Sequence, residues 1–331
     1  MQPHHHPAAN TTKKADSTTV PPPDDPQAEQ IAEIARSWYT PLRPKPQTGW
    51  LVYSLDYVLA MLQGCAAEPH RVRHAVAWRV IGTMVLGVMA VAQAIIMFLA
   101  WLPVISAFVE VIARVWGGNA PGFFLRACYW KVKLKHLGQN TVIDQYVDIR
   151  GPASVSIGSH SHIDAYVRLK AGERRYGQHG SIEIGNNVHV ALGVLIVGRG
   201  GVEIRDFVGI SANAHLYSAT NVVEHPGDPG QLISMSHMAP NDQQHIVEAP
   251  ILLDEYAFVG MMVRIMPGVT VGRAAIIHAN VELTRDVPPF ANVGAIPHGR
   301  QIGWRRPRRT SPKLAEVQDD TEGPDRTSAG G

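Results

Sequence analysis

The chain contains 331 residues, enough for one globular domain of ordinary size and additional segments. Its formal net charge of +2 argues against a nucleic-acid-binding body, although the run GWRRPRRTSPK near the C-terminus is locally basic. Its two cysteines, Cys65 and Cys128, lie on either side of a hydrophobic stretch. They imply no disulfide framework and favour a reducing compartment.

Residues 1–48 contain His, Pro, Ala, Thr and Asp but few large apolar side chains, so they are predicted to form a disordered arm. Three consecutive histidines in this arm, His4 to His6, could bind a stray metal ion, but in a flexible segment they are more often incidental. Residues 305–331, first basic and then acidic, are predicted to form a disordered tail.

A long apolar run follows the arm: residues Val80 to Val109 carry no formal charge. This run exceeds the roughly 20 residues that cross the hydrocarbon core of a bilayer. Pro103 predicts a break, giving a helix near Ala77–Leu102 and a second apolar piece near Val104–Trp116. We therefore predict that residues 49–136 form a helical, membrane-associated segment, with a transmembrane helix or a re-entrant hairpin. The alternative is a helical cap that packs on the following domain and never contacts lipid.

Basic residues flank the apolar run on both sides, so the positive-inside rule leaves its orientation open. They are Arg71, Arg73 and Arg79 before it, and Arg114, Arg126, Lys131, Lys133 and Lys135 after it. A hairpin would place both flanks in the cytoplasm. The prediction is a membrane-associated protein whose following domain lies on the cytoplasmic side.

Aliphatic residues recur at every sixth position of the following domain, as at Leu253, Val259, Ile265, Val271, Ile277 and Leu283. The fifth residue of each of these hexads is small or β-branched, namely Ala257, Val263, Val269, Ala275, Val281 and Val287. A period of six fits a parallel β-helix, in which each hexad forms one face of a triangular coil with its aliphatic residue pointing inward. A β-sandwich, whose strands alternate with a period of two, would not maintain this register.

The same ladder extends upstream with interruptions, and three hexads make one coil. About six coils are predicted within residues 137–304, beginning at Leu137, Ile157, Ile184, Ile204, Leu253 and Val271. Two insertions interrupt them, from Gly172 to Ile182 and over residues 222–252. The long loop is rich in Pro, Gly, His and Met, so we interpret it as an ordered excursion that covers a site. The alternative is a mobile surface loop.

Two segments carry a family resemblance: the run FVGMMVRIMPGVTVGRAAIIHANVELTRDVPPF, and the ending VGAIPHGRQIGWR, which looks like a closing element GxPAxxIxxR. With them, residues 137–304 resemble the hexapeptide-repeat acyltransferases, in particular the polysaccharide and colanic-acid O-acetyltransferase type. The resemblance implies a mainly β fold, a left-handed parallel β-helix, and a homotrimer with active sites between neighbouring prisms. It also implies direct acetyl transfer from acetyl-coenzyme A to a hydroxyl of a saccharide or saccharide-lipid, with no metal.

The resemblance also suggests which residues bind the donor. By position, Gly260, Ala279 and Thr284 fall where the family contacts the pantetheine arm. Arg285 takes the place of a family lysine and could pair with the donor phosphates, as could Arg300, Arg305 and Arg306.

The catalytic base is the point at which the chain departs from the family. Asn221 occupies the position of the family histidine, and an asparagine cannot accept a proton at neutral pH. Three alternatives remain open: His225 could fold back from the loop, His215 could serve a neighbouring subunit's groove, or another base or none is used. The last is suggested by the segment LYSATN, which resembles a polysaccharide-modifying branch without the histidine.

Two other function classes remain as alternatives. His162 and His189 occupy equivalent positions of consecutive coils and should stack, so they could share a metal with a neighbour's ligand, as in γ-type carbonic anhydrases. Asn221 is also compatible with a non-catalytic β-helix scaffold. His160 and His278 are interpreted as outward-pointing turn residues.

Overall fold

A computed structural model describes residues 49–63, 75–172, 180–222, 224–225, 228–236, 238–240, 243–294 and 301–304. These residues belong to one compact unit, Thr40–Gly331. Several predictions concern residues outside this described part of the chain. They are the predictions for the N-terminal arm with its three histidines, for the tail, and for Cys65, Arg71, Arg73, Arg300, Arg305 and Arg306.

Four helices precede the β-domain: α1 (Leu55–Leu62), α2 (Val76–Trp101), α3 (Pro103–Val115) and α4 (Ala120–Lys133). The predicted break is confirmed, because Pro103 begins α3 at a first-turn position where the missing N–H costs no hydrogen bond. The predicted helix near Ala77–Leu102 differs from α2 by one residue at each end. Side chains cap two of the helices: Ser54 accepts a hydrogen bond from the Tyr57 backbone N–H, and Asn119 from that of Gly122.

Helix α4 closes the N-terminal end of the β-domain. Its Tyr129 and Trp130, together with Leu134 just beyond it, are buried in the same apolar core as the aliphatic residues of the coils. Arg126 is predicted to belong to the basic flank of the apolar run, but the structure buries it to 1% exposure. Its guanidinium donates to carbonyl oxygens of the first coil and of the end of α3, which would otherwise be buried without donors.

The β-domain is a triangular prism with three parallel sheets. The first face contains β1 (His136–Leu137), β4 (Val155–Ile157), β7 (Ile182–Ile184), β10 (Val202–Ile204), β17 (Ile251–Leu253) and β20 (Thr270–Val271). The second contains β2 (Val142–Ile143), β5 (His162–Ile163), β8 (His189–Val190), β11 (Gly209–Ile210), β18 (Phe258–Val259), β21 (Ile276–Ile277) and β23 (Ala291–Val293), with β24 (Gln301–Trp304) antiparallel at its end. The third contains β3 (Asp148–Arg150), β6 (Arg168–Lys170), β9 (Leu195–Val197), β12 (His215–Tyr217), β19 (Arg264–Ile265) and β22 (Glu282–Leu283).

The register of the sheets confirms the predicted coils. On the first face, for example, Ile184 pairs with Ile204, Ile204 with Leu253, and Leu253 with Val271, and all four begin predicted coils. The aliphatic residues of the hexads are buried in one core, together with the fifth-position residues such as Val263, which is 0% exposed. The strand β23 adds part of a further coil that the prediction did not include.

The corners of the prism have a backbone feature that recurs with the same period. The fourth residue of successive hexads has a left-handed conformation, as at Tyr256 (φ 62°), Met262 (φ 58°), Gly268 (φ 83°), Ala274 (φ 54°) and Asn280 (φ 62°). Each left-handed residue turns the chain through the corner between two faces. The side chains give little indication of it, because most of these residues are neither Gly nor Asn.

The long excursion begins a little earlier than predicted. After β12, the chain leaves the coil at β13 (Ala219–Asn221), which pairs antiparallel with β16 (Ile246–Glu248) before the coil resumes at β17. Within it, β14 (Glu224–His225) pairs antiparallel with β15 (Asp228–Leu232). The described part of the excursion is therefore partly built of strands, as the prediction of an ordered segment required. Most of the short insertion lies outside the described residues.

Candidate functional site

The third face and the corners beside it hold His215 and the described donor-binding candidates. Outward-facing residues on this face form a ladder across the coils, in which Arg168 pairs with Leu195, Leu195 with His215, His215 with Arg264, and Arg264 with Glu282. The excursion leaves the prism at the end of the same face, immediately after β12. His215 and the described donor-binding candidates therefore border one surface, beside the point where the excursion begins.

His215 lies at the centre of this ladder and is partly buried. Its ring contacts Tyr217 edge-on, with 5.9 Å between the ring centroids. Burial lowers the pKa of His215 below its usual 6.5, and the positive charges of Arg168 and Arg264 lower it further. The imidazole is therefore neutral at neutral pH, which is the form that can accept a proton.

Asn221 ends β13, at the point where the excursion begins to leave the prism. Its Nδ2 donates to the Met235 carbonyl oxygen at 3.2 Å, which ties the two sides of the excursion together. Its Oδ1 is buried and has no hydrogen-bond partner among the described residues.

Buried hydrogen bonds and an ion pair fix the start of the excursion. Ser218 is 0% exposed; its hydroxyl donates to the Val197 carbonyl oxygen at 2.6 Å and accepts from the Gly200 N–H at 2.8 Å. Arg199 forms an ion pair with Glu248 of β16 beside it. These contacts fix the position of Asn221 three residues further along the chain.

Two further histidines belong to the excursion. His225 lies in β14, where its backbone pairs with Asp228, and its use as the base stays a prediction. His245 was not among the candidates. The β13–β16 pairing returns the chain to Asn221, and the His245 carbonyl oxygen accepts a hydrogen bond from the Val222 N–H at 3.1 Å. A pairing between strands 25 residues apart has no sequence pattern that could have indicated this neighbour.

The predicted donor-binding residues differ in their surroundings. Ala279, Thr284 and Arg285 are exposed on the last described coil, at the two corners that border the third face. Gly260 is buried instead, and a side chain there would meet the Ile277 carbonyl oxygen at 2.6 Å. Close stacking of the coils therefore requires glycine at position 260. Donor binding by all four residues stays a prediction.

The predicted stacking of His162 and His189 is confirmed. The two residues pair across β5 and β8 on the second face, and their ring centroids are 5.6 Å apart. Asp164 lies 3.4 Å from His162 and 3.1 Å from His189, and Asp144 lies 3.6 Å from His162. The neighbouring Asp144 and Asp164 carboxylates raise the pKa of His162, although burial acts against this shift.

His160 and His278 are both exposed, and His160 has the left-handed conformation of a corner residue, with φ 58°. His278 contacts the Asn292 side-chain oxygen at 2.6 Å. Their interpretation as outward-pointing residues is confirmed.

Comparison with known proteins gives one curated relative and several solved structures. No family model matches the chain. The dTDP-4-amino-4,6-dideoxy-D-glucose acyltransferase of Escherichia coli is 27% identical over 161 residues, which are 48% of this chain and 78% of that protein. A variant of AntD, an N-acyltransferase from Bacillus cereus crystallised with dTDP and coenzyme A, is 23% identical with a TM-score of 0.46, covering 57% of this chain and 92% of AntD. A hexapeptide-repeat acetyltransferase from Vibrio cholerae with acetyl-coenzyme A is 18% identical with a TM-score of 0.38, covering 60% and 84%.

The hexad coils and the curated relative confirm the resemblance to the hexapeptide-repeat acyltransferases. The three parallel sheets fit the predicted left-handed parallel β-helix.

Proposed function

We propose that this protein is a sugar acyltransferase that takes its acyl group from acetyl-coenzyme A. The observation that carries the proposal is the hexapeptide coil itself, together with its similarity to a curated acyltransferase of a nucleotide-linked sugar. Further support comes from the third face, which carries the neutral imidazole of His215 and is bordered by the exposed corners with Ala279, Thr284 and Arg285. Fold alone does not define a function, so the residues of this face are the parts to test.

The transfer is a direct attack. The nucleophilic oxygen or nitrogen of the sugar forms a bond with the thioester carbonyl carbon, its proton passes to a base, and the carbon–sulfur bond breaks to release coenzyme A. A covalent intermediate on Cys128 is excluded, because that residue is fully buried and burial raises the pKa of its thiol to about 12.

His215 is the base that the described geometry favours. It is neutral, it lies on the outside of the prism, and it is close to the start of the excursion. A neighbouring prism in a trimer would place its donor groove against this surface, as the family resemblance implies; the homotrimer is part of this proposal.

A panel of single alanine variants tests this assignment. His215→Ala should lower kcat by about 10² to 10⁴, the usual contribution of a general base, and should change donor binding little. His225→Ala and His245→Ala serve as the matched controls within the same site. If either control loses activity while His215→Ala retains it, the base lies in the excursion and the present assignment is wrong.

The predicted acceptor is a hydroxyl on a saccharide or saccharide-lipid. An amine on a sugar is the second candidate, favoured by the curated relative, whose named substrate carries a 4-amino group. An uncharged amine is a stronger nucleophile than a hydroxyl and depends less on a base. Incubation with matched 4-hydroxy and 4-amino nucleotide sugars, followed by mass analysis of the products, distinguishes an ester from an amide.

We also propose that the chain attaches to a membrane, with the β-helix on the cytoplasmic side where acyl-coenzyme A is found. Helix α2 supports this proposal, because by length and composition it could cross a membrane: its mean hydropathy is 2.2 over the most apolar stretch, of which 11% is buried. Fractionation of cells that express the full chain tests the attachment, and recovery of the whole protein in the soluble fraction would contradict it.

A further inference from the structure

Helices α2 and α3 present a continuous apolar surface on one side only. Exposed residues of α2 recur at helical spacing, at Val80, Met84, Val88, Val91, Ile95 and Phe98. Helix α3 continues the surface with Val104, Phe108, Val111 and Val115. We call these two stripes the outer apolar face. A soluble monomer rarely exposes a contiguous apolar surface of this extent.

The opposite side of α2 is covered along its whole length. Near its start, Gly82 packs so closely on Leu59 of α1 that a side chain at position 82 would meet the Leu59 Cδ2 at 2.6 Å. At its middle, Gln93 is 1% exposed. Near its end, Ala100 is buried in the core that also contains Tyr129 of α4. Helix α1, the segment around Val52 and helix α4 therefore contact α2 from one end to the other.

Gln93 shows how firmly the middle of α2 is attached. Its Oε1 accepts a hydrogen bond from the Val52 N–H at 3.0 Å, and its Nε2 donates to the Trp50 carbonyl oxygen at 2.7 Å. Val52 in turn accepts a hydrogen bond from the backbone N–H of Asn140, in the first coil, at 2.8 Å. Two hydrogen-bonded steps thus connect the centre of α2 with the β-helix.

This connection is incompatible with a single crossing of the membrane. Residues 49–62 precede α2 and the β-helix follows it, so a crossing would place them on opposite sides of a hydrocarbon core about 30 Å thick. Yet Asn140 also accepts, through its Oδ1, from the Ser54 N–H at 2.7 Å, and the Lys131 ammonium donates to the Gly49 carbonyl oxygen at 3.5 Å. The segments before and after α2 are in direct contact.

A return crossing by α3 is excluded by length. Its 13 residues extend about 20 Å at 1.5 Å per residue, which is shorter than the hydrocarbon core. The end of α3 is also tied to the prism, because the Tyr146 N–H donates to the Arg114 carbonyl oxygen at 2.9 Å and the Arg114 side chain pairs with Asp148 at 3.4 Å.

We propose that the protein is a monotopic membrane protein: the outer apolar face lies flat in one leaflet of a phospholipid bilayer, and none of the described segments between Gly49 and Trp304 crosses it. This inference rests on the membrane attachment proposed above and specifies its geometry. Trp101 and Trp116 are exposed at the ends of α2 and α3, where indole rings suit the headgroup region. Arg79, in the first turn of α2, can reach the lipid phosphates.

The one-leaflet geometry also determines where the β-helix lies relative to a lipid-linked acceptor. The helices lie at the end of the prism that α4 closes, so the β-helix is held at the cytoplasmic surface of the leaflet. A sugar linked to a lipid of that leaflet would then lie on the same side of the membrane as the third face.

Flotation with vesicles of phosphatidylcholine and phosphatidylglycerol tests the outer apolar face. The full chain should float with the vesicles, whereas the double variant Val91→Asp with Phe108→Asp should remain at the bottom. Both positions are more than 60% exposed, so the variant should fold, as circular dichroism can check. Leu192→Asp, at an exposed corner of the β-helix, is the matched control and should float like the wild type. Flotation of the double variant would overturn the assignment of this face to lipid.

Sidedness distinguishes the one-leaflet geometry from a crossing. Asp56→Cys in α1 and Glu183→Cys on the first face introduce exposed thiols before and after α2, in a chain with Cys65 replaced by Ser. In inverted membrane vesicles, both should react with an impermeant maleimide. Reaction of one from each side would overturn the monotopic geometry while leaving membrane attachment intact. A wild-type chain that does not float and doubles in mass would overturn both, and would assign the face to a second copy.

Discussion

Two buried polar side chains hold the helices in place: Arg126 bonds the first coil directly, and Gln93 bonds the segment of residues 50–52, which in turn contacts the first coil. Neither role could be predicted from the sequence, because their partners are backbone groups without a recognisable pattern. Gln93 was one of a few polar residues in an apolar run, and Arg126 was interpreted as a flanking charge. Burial of the Arg126 guanidinium places it at the end of α3, where its hydrogen bonds satisfy the terminal carbonyl oxygens.

Arg126→Met should lower the free energy of unfolding by about 3 kcal/mol or more, because it leaves several buried carbonyl oxygens without donors. Lys133→Met is the matched control on the same helix. Its ammonium lies 5.8 Å from the centre of the Tyr129 ring, so its loss should change the stability by about 1 kcal/mol or less. Urea unfolding measures the free energy of unfolding of both variants. Equal decreases in the two would contradict the role assigned to Arg126.

The pH dependence of activity tests the environment of His215. Burial and two neighbouring arginines lower its pKa below the usual 6.5, so the imidazole is more than half unprotonated at that pH. If His215 is the base, kcat/KM should fall on the acid side with a midpoint below pH 6.5. Replacing Arg264 by Met removes one positive charge and should shift this midpoint to higher pH. An acid-side midpoint above pH 6.5 in the wild type would contradict the assignment.

At the scale of elements, the hexad period predicted the coils because each aliphatic residue occupies the same place in the prism. The excursion was predicted only as an ordered segment, since antiparallel pairing of β13 with β16 depends on contacts that no local pattern specifies. The left-handed conformation of the corner residues could not be predicted from the sequence for another reason. Residues such as Tyr256 and Met262 do not favour that conformation, and the surrounding coil imposes it on them.

A matched pair of glycine substitutions tests this corner geometry. Ala275→Gly, at a buried position outside the left-handed region, should cost about 1 to 2 kcal/mol through lost packing and greater backbone entropy. Ala274→Gly removes the same methyl group, but it also relieves the strain of φ 54°, so its cost should be smaller by about 1 kcal/mol. Thermal unfolding of the two variants provides the comparison, and identical losses would show that position 274 is not strained.

At the scale of the whole molecule, one apolar core extends from helices α2, α3 and α4 through the coils to β23. Val263→Asp would bury an unpaired carboxylate in its middle and should unfold the β-helix. Met261→Asp, two residues earlier and exposed, should be tolerated. Circular dichroism melting distinguishes them, and a melting temperature of Val263→Asp within a few degrees of wild type would contradict the observed register.

The rate of coenzyme A release from acetyl-coenzyme A, measured with the full chain in vesicles or detergent, tests the proposed acyl transfer most directly. A nucleotide-linked or lipid-linked sugar should increase the release of free thiol well above the rate without acceptor, and the sugar should gain one acetyl group per thiol released. His215→Ala should reduce this sugar-dependent rate by about 10² to 10⁴. Two results together would contradict acyl transfer and favour a binding scaffold: no sugar increases the rate of thiol release, and coenzyme A does not change the melting temperature of the chain.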